Sequence, residues 1–402
     1  MKKQQTMVLL LLLLMITPCL RAQKKELSQA RSYIKSGKDY DKAEKLMTDL
    51  LEKDAANRTN EKIYLIWFQA VTKQYEAANE KLYLKQKYDT AAFFNLTRRL
   101  YTIGEALDTL DALPDEKGRV KMHYREDHAR LLDQLRLNLY YGGTYHLRRD
   151  NYATAYDFFE TYLQAGEKPL FTGYDYPQKD PRIPEVAYWA EYAGYKMQDA
   201  TLTLRYFDEA VRDTAKARYA MQYACEAYRW QKDEQRYLEM LKRGFDRYPD
   251  FPYFFPRLID YYQAQERPDS ALYYADQALR TYPQEQLFLL AKSVALLNLE
   301  RYDECIDVSE QLISRNDTLA EPYFNIATAK LNQALVLEQK SQPRIYREQI
   351  RQLYMEARPY MEAYRKLAPD EKRKWAPSLY RIYLNLNMGR QFEEIDKVMK
   401  KL

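Results

Sequence analysis

Apolar and polar positions along this chain recur with a constant period. Over residues 218–317 the same residue types return every 34 positions, and Pro249 and Pro283, each preceded by Tyr, mark the same point of two successive repeats. Small residues keep the same offset, as Ala271 and Cys305 do. A repeat of this length accommodates two amphipathic helices and a turn, so the pattern predicts an array of stacked helical hairpins.

Outside this stretch the pattern continues at wider spacing. The small-residue position recurs at Ala43, Ala91 and Ala155, which are separated by more than one period. Elongated helices account most simply for the extra length, and long helices are expected over residues 61–84 and 120–148.

Two features interrupt the regular pattern. The pair Gly142-Gly143 lies within the second long helix, where it either lets a neighbouring helix approach closely or breaks the helix. Residues 166–184 contain four Pro and form the longest irregular segment, which is either a binding element or a cap over the core. The predicted organisation is a signal peptide (1–22), hairpins with elongated helices (23–165), the irregular segment (166–184), a regular array (185–317), and an elongated hairpin with capping helices (318–402).

The repeats resemble the tetratricopeptide repeat family. Residues 269–283 carry the family's small residue in the second helix and its Pro at the turn, and residues 300–317 repeat this pattern with Cys305 in the small position and Asp317 where Pro is expected. The resemblance implies an all-α, right-handed superhelical solenoid of about eight or nine hairpins. It also implies a concave groove that binds protein or peptide, and it implies no catalytic residue.

The N-terminal segment has the pattern of a signal peptide. Lys2 and Lys3 precede an apolar run over residues 8–16, and Ala22 offers a small residue for cleavage. Cys19 leaves a lipoprotein signal open as an alternative. We therefore expect export to the periplasm, with a possible association with the outer membrane.

Composition and charge narrow the class of protein. Only 10 Gly occur in 402 residues, which argues against a turn-rich β protein. The net charge is +5, and because residues 1–22 hold three basic residues and no acid, the rest of the chain carries +2. Without a basic block, no nucleic-acid partner is expected. No segment after residue 22 is long and apolar enough to span a membrane.

No residue pattern for catalysis is found. His123 and His128 are five positions apart and point to different helix faces, so we interpret them as solvated surface rather than as metal ligands. Cys225 and Cys305 occupy seam positions and are expected to be buried thiols. A phosphate-binding loop, a nucleophile elbow and a zinc spacing are all absent from the sequence. We predict a non-enzymatic protein that needs no cofactor and no metal.

The first helices of such repeats line the groove, so their outward residues are the candidate binding residues. Leu287, Leu290 and Leu297 should present an apolar face, unless the long eighth hairpin buries it. Two further sets complete the prediction: Phe324 and Leu331 beside these leucines, and an aromatic wall of Tyr219, Tyr223, Tyr253 and Arg229. The partner is expected to be a protein or peptide. Because the chain has 39 Tyr and 4 Trp, carbohydrate binding is the alternative.

Five Asp-Thr or Asp-Ser pairs, each followed by an apolar residue, resemble the acceptor motif of a general O-glycosylation system in exported bacterial proteins. The hydroxyl residues are Thr90, Thr109, Thr214, Ser270 and Thr318. The alternative is that these residues cap helices, as Asp, Ser and Thr commonly do.

Overall fold

The computed structural model describes residues 23–402, and each regular element in this range is helical. The predicted signal peptide, residues 1–22, lies outside the described residues. The helices are α1 (23–36), α2 (Tyr40–Lys53), α3 (Glu61–Tyr83), α4 (Thr90–Asp111), α5 (Arg125–Leu147), α6 (Tyr152–Gln164), α7 (Tyr176–Lys179), α8 (Ile183–Lys196), α9 (Ala200–Leu204), α10 (Phe207–Ala210), α11 (Ala217–Trp230), α12 (Glu234–Arg247), α13 (Phe254–Ala264), α14 (Pro268–Thr281), α15 (Gln286–Asn298), α16 (Tyr302–Arg315), α17 (Ala320–Glu338), α18 (Arg347–Leu367), α19 (Lys372–Asn385) and α20 (Gly389–Met399).

Successive helices form nine helix–turn–helix pairs within residues 23–402, which confirms the all-α class and the predicted number of hairpins. In the fourth pair the return helix is broken into α9 and α10, both of which pack on α8. The chain divides into two compact units after Met240. Among the described residues, no helix is both long enough and apolar enough to cross a membrane.

The turns inside the hairpins repeat one backbone conformation. Gln198, Lys232, Glu266 and Glu300 lie 34 positions apart, and each has a left-handed φ between 52° and 59°. After each of them the next residue donates its N–H back into the last turn of the first helix, as Asp199 N does to Gly194 O at 3.1 Å. This is the hydrogen-bond pattern of a Schellman C-cap, and it ends each first helix at the same point of the repeat.

Small residues set the helix spacing at several seams. Gly142 and Gly143 lie inside an unbroken α5, and Phe158 and Phe159 of α6 pack directly over them. A methyl group on Gly143 would come within 2.3 Å of the Phe159 ring. The predicted close approach is therefore confirmed, and the alternative of a helix break is wrong.

The irregular segment covers the core of the first unit. Leu170 and Phe171 are buried, and the Phe171 ring stacks on Tyr101 of α4 with a centroid distance of 5.5 Å. Arg136 of α5 lies between two tyrosine rings, 3.8 Å from Tyr162 and 3.7 Å from Tyr176. The buried side chains of Leu170, Phe171 and Tyr176 tie the segment to the core. This explains why residues 166–184 adopt short helical turns instead of a flexible loop.

Arg136 also anchors this segment electrostatically. Its guanidinium forms an ion pair with Asp180 and donates to the Tyr162 carbonyl oxygen at 3.1 Å. The Tyr162 hydroxyl donates to the same Asp180 carboxylate at 2.7 Å. Burial alone would raise the pKa of Asp180, but these hydrogen bonds and the Arg136 charge lower it, so the carboxylate is ionised at neutral pH.

One predicted helix begins later than expected. The helix predicted over residues 120–148 starts at Arg125, and the residues just before it are irregular. The Asp111 carboxylate accepts hydrogen bonds from His123 N at 2.7 Å and Tyr124 N at 2.9 Å, so it satisfies these backbone groups outside a helix. The helix predicted over 61–84 is confirmed as α3.

Candidate binding surfaces

The first unit carries a cluster of rings on two neighbouring first helices, α8 and α11, which we name the aromatic surface. Tyr223 of α11 stacks on Tyr195 of α8 at 4.4 Å, and Tyr195 stacks in turn on Trp230 at 5.7 Å. Trp189 and Tyr192 of α8 extend the cluster with a ring distance of 6.0 Å. The i, i+3 and i+4 spacing of aromatic residues on α8 places these rings on one side of that helix.

The cluster combines a buried base with a more accessible edge. Tyr188 and Tyr223 are buried, and their hydroxyl groups lie 3.4 Å apart. Burial, with the hydrogen bond to Tyr188, raises the pKa of Tyr223, so both phenols are neutral at physiological pH. Tyr219 is 42% exposed, and Trp189 and Trp230 are half-buried. The accessible part therefore presents aromatic rings to solvent.

The second unit contains an open groove between the end of α17 and the start of α18. Its volume is about 850 Å³. The lining residues are Glu300, Tyr302, Gln333, Val336, Leu337, Glu348, Gln349, Gln352 and Leu353. We name it the α17–α18 groove. Its size is in the range of ligand-binding clefts, and its floor is aliphatic.

The groove results from the extra length of the eighth hairpin. A first helix as long as the 13-residue α15 would end near residue 332, whereas α17 has 19 residues. Gln333, Val336 and Leu337 thus belong to extra turns that have no counterpart in the preceding hairpin. Within these extra turns, Val336 is 45% exposed.

Carboxylates near the groove fall into two groups. Three are paired with cations: Glu304 with Arg301 at 2.6 Å, Glu356 with Lys330 at 2.7 Å and Glu338 with Arg381 at 2.8 Å. Glu300 and Glu348 are exposed, line the groove, and form no ion pair with a described residue. No Lys or Arg is among the described residues that line the groove.

The leucines predicted for the groove differ in accessibility. Leu287 is 43% exposed on α15, whereas Leu290 and Leu297 are half-buried. Phe324 packs on Tyr364 of α18 with a ring distance of 5.0 Å, and Leu331 is buried in the core formed by α17–α20. These two residues therefore contribute to the C-terminal core, because α18 and α19 pack against that face of α17.

The residues predicted for the aromatic wall are also placed differently from one another. Tyr219 is exposed and Tyr223 is buried, both within the aromatic surface. Arg229 forms an ion pair with Glu226 on the same helix. Tyr253 is buried in the second unit, where the Arg257 guanidinium lies 3.9 Å from its ring. The binding role of these residues stays a prediction.

Sequence reasoning missed most residues of both surfaces. Trp189, Tyr192, Tyr195 and Trp230 could have been found from the aromatic spacing on α8 and the end of α11. Val336 could have been found from the extra length of the eighth hairpin, which the sequence already indicated.

The hydroxyl residues of the predicted modification motifs occupy several settings. Thr109 lies inside α4 and donates to Glu105 O at 2.9 Å, and its neighbour Asp108 is buried in an ion pair with Arg125. Thr214 and Thr318 are exposed. The Asp89 carboxylate caps α4 by accepting from Ala92 N at 3.0 Å, which is the structural role that such motifs often have.

Of the candidate metal and thiol residues, His128, Cys225 and Cys305 take part in packing. Within residues 23–402, no three His, Cys, Asp or Glu side chains are arranged to hold a metal ion. His128 is half-buried with its ring 4.2 Å from Phe68, so its interpretation as solvated surface is wrong. Burial lowers the pKa of His128, which keeps the ring neutral. Cys225 and Cys305 are buried as predicted.

Helix pairs with a 34-residue period and a shared turn geometry define the fold as that of the tetratricopeptide repeat proteins. Several solved structures are similar to this chain. They include the C-terminal part of a TPR repeat-containing protein from Cytophaga hutchinsonii, with 13% identity, a TM-score of 0.43, and coverage of 64% of this chain and 93% of that chain. Yeast Tom70 has 12% identity and a TM-score of 0.34, with 95% and 91% covered.

A third similar structure is the TPR2AB domain of yeast Sti1, described as a complex with pHSP90. It shares 11% identity and a TM-score of 0.24, with 63% of this chain and 99% of that chain covered. No family model matches the sequence, and no curated protein matches it.

Proposed function

We propose that this protein is a non-enzymatic scaffold of the bacterial cell envelope that binds a segment of a partner protein. The α17–α18 groove is the observation that supports this function best. It is concave and open, and its aliphatic floor is exposed to solvent at Val336. Covering such a floor with apolar side chains of a partner is favourable by about 25 cal/mol for each Å² removed from water.

Placement in the envelope is part of the same proposal. The signal-peptide pattern of residues 1–22 supports export, with Cys19 as the site of attachment if the leader is a lipoprotein signal. The mature protein would then meet its partner in the periplasm or at the outer membrane.

The role of the groove in binding can be tested by comparing two valine substitutions, one in the groove and one in the first unit. Val336 is 45% exposed in the groove, and Val120 is 56% exposed in an irregular stretch of the first unit. We expect Val336→Asn to lower recovery of a cross-linked envelope partner about fivefold, because a partly buried aliphatic contact contributes roughly 1 kcal/mol. The control Val120→Asn should leave recovery unchanged. Equal recovery from both variants, with unchanged thermal stability, would contradict the proposal.

The aromatic surface favours a second candidate function, carbohydrate binding. Exposed rings such as Tyr219 offer a platform for the apolar face of a sugar. A glycan array with the mature protein tests it, with Tyr219→Ala as the site variant and Tyr273→Ala, an exposed tyrosine of the second unit, as the control. An array without signal would leave protein binding as the better supported function.

A further inference from the structure

The chemistry of the α17–α18 groove indicates what kind of partner it accepts. We propose that the groove binds an amphipathic segment that carries Lys or Arg beside its apolar residues. This inference rests on the proposed function, because it specifies the partner of the same groove. Three observations support it: the two carboxylates, the orientation of the amides, and the aliphatic floor.

The carboxylates come from two separate elements that border the groove. Glu300 occupies the left-handed turn between α15 and α16, with φ of 59°, and Glu348 lies in the first turn of α18. Both are exposed and form no ion pair with a described residue. Burial, together with the charge of Glu300, raises the pKa of the lining residue Tyr302. A cation in the groove would therefore meet two negative charges that the described part of the chain leaves unneutralised.

The amides of the groove add hydrogen-bond acceptors. Gln333 uses its NH₂ group to donate to Asp303 Oδ1 at 2.7 Å, and Gln352 donates to Glu356 Oε1 at 2.9 Å. In each amide the carbonyl oxygen remains as an acceptor. The groove thus offers mainly acceptors, which suits the multiple N–H donors of Lys and Arg.

The floor explains why the segment must also be apolar. Val336, Leu337 and Leu353 supply aliphatic surface in the same groove that the two carboxylates line. The methylene stems of Lys and Arg can cover such surface while their charged ends reach the rim. Arg347 and Arg351 lie on α18 as well, but neither is among the lining residues, so the charge inside the groove is negative.

The test uses three synthetic 12-residue peptides with the same leucine pattern and with Lys, Gln or Glu at the polar positions. Binding to the full mature chain is measured by fluorescence anisotropy at low and high salt. We expect the Lys peptide to bind tightest. The double variant Glu300→Gln/Glu348→Gln should weaken its binding about tenfold at low salt, because two partly exposed ion pairs contribute roughly 0.7 kcal/mol each. It should also reduce the salt dependence of binding.

A matched control and a groove variant separate this inference from the proposed function. Glu52→Gln changes an exposed carboxylate of the first unit and should leave binding of the Lys peptide unchanged. Val336→Asn should weaken the Lys and Gln peptides alike. If Val336→Asn weakens both while the Lys peptide binds no better than the Gln or Glu peptide, the charge preference is overturned and the groove function stands. If Val336→Asn weakens none of the peptides that bind, both proposals fall.

Discussion

A single buried carboxyl group, that of Glu191, can make the stability of the fold depend on pH. Glu191 on α8 is fully buried, and no described residue donates a hydrogen bond to either of its oxygens. Burial raises the pKa of Glu191 well above its ordinary value, so the native protein holds a proton there that the unfolded chain releases. Stability from this group is therefore present below the ordinary Glu pKa and is lost as the pH rises.

We expect Glu191→Gln to remove this pH dependence. Between pH 5 and pH 8 the free energy of unfolding of the wild-type protein should fall relative to that of the variant, with a slope of up to about 1.4 kcal/mol per pH unit. Urea unfolding at several pH values measures it. Parallel curves for the two proteins would show that the carboxyl group is not held neutral by the fold.

At the scale of elements, the hairpin turn is the repeating device. Glu266 adopts the left-handed conformation with φ of 52° between α13 and α14, where a side chain with a Cβ is unfavourable by about 1 kcal/mol. We expect Glu266→Gly to stabilise the protein by roughly 0.5–1 kcal/mol, since glycine adopts this conformation without that penalty. The matched variant Glu266→Ala keeps the Cβ and should give no gain. The midpoint of thermal unfolding measures both, and a loss of stability in Glu266→Gly would refute this account of the turn.

At the scale of the whole molecule, a single intact-mass measurement tests the predicted covalent processing. If residues 1–22 are a cleaved signal peptide, protein from the native host should begin at Gln23; a lipidated protein would instead begin at Cys19. O-glycosylation at exposed residues such as Thr214 or Thr318 would add sugar mass to either form. Intact-mass measurement distinguishes these products. A mass equal to the unmodified polypeptide from residue 23 would exclude both modifications and leave the Asp residues as caps.

Local patterns explain why the fold could be predicted. The period of apolar positions over residues 218–317 depends on which side of a helix packs inward, and each repeat contacts mainly its neighbours. The break of the fourth return helix into α9 and α10 carried no such signal. The late start of α5 was not visible either, because it depends on the Asp111 carboxylate twelve residues away in sequence.

The amino-acid sequence by itself determined the helical class and the number of hairpins, since these follow from the periodicity of apolar and small residues. The tertiary structure alone decided which side chains remain for a partner. It placed Leu331 in the core and left Val336 exposed, and it paired Glu356 with Lys330 while leaving Glu348 without an ion pair to any described residue. Burial and charge pairing depend on neighbours from other helices, and their positions are set only when the helices pack.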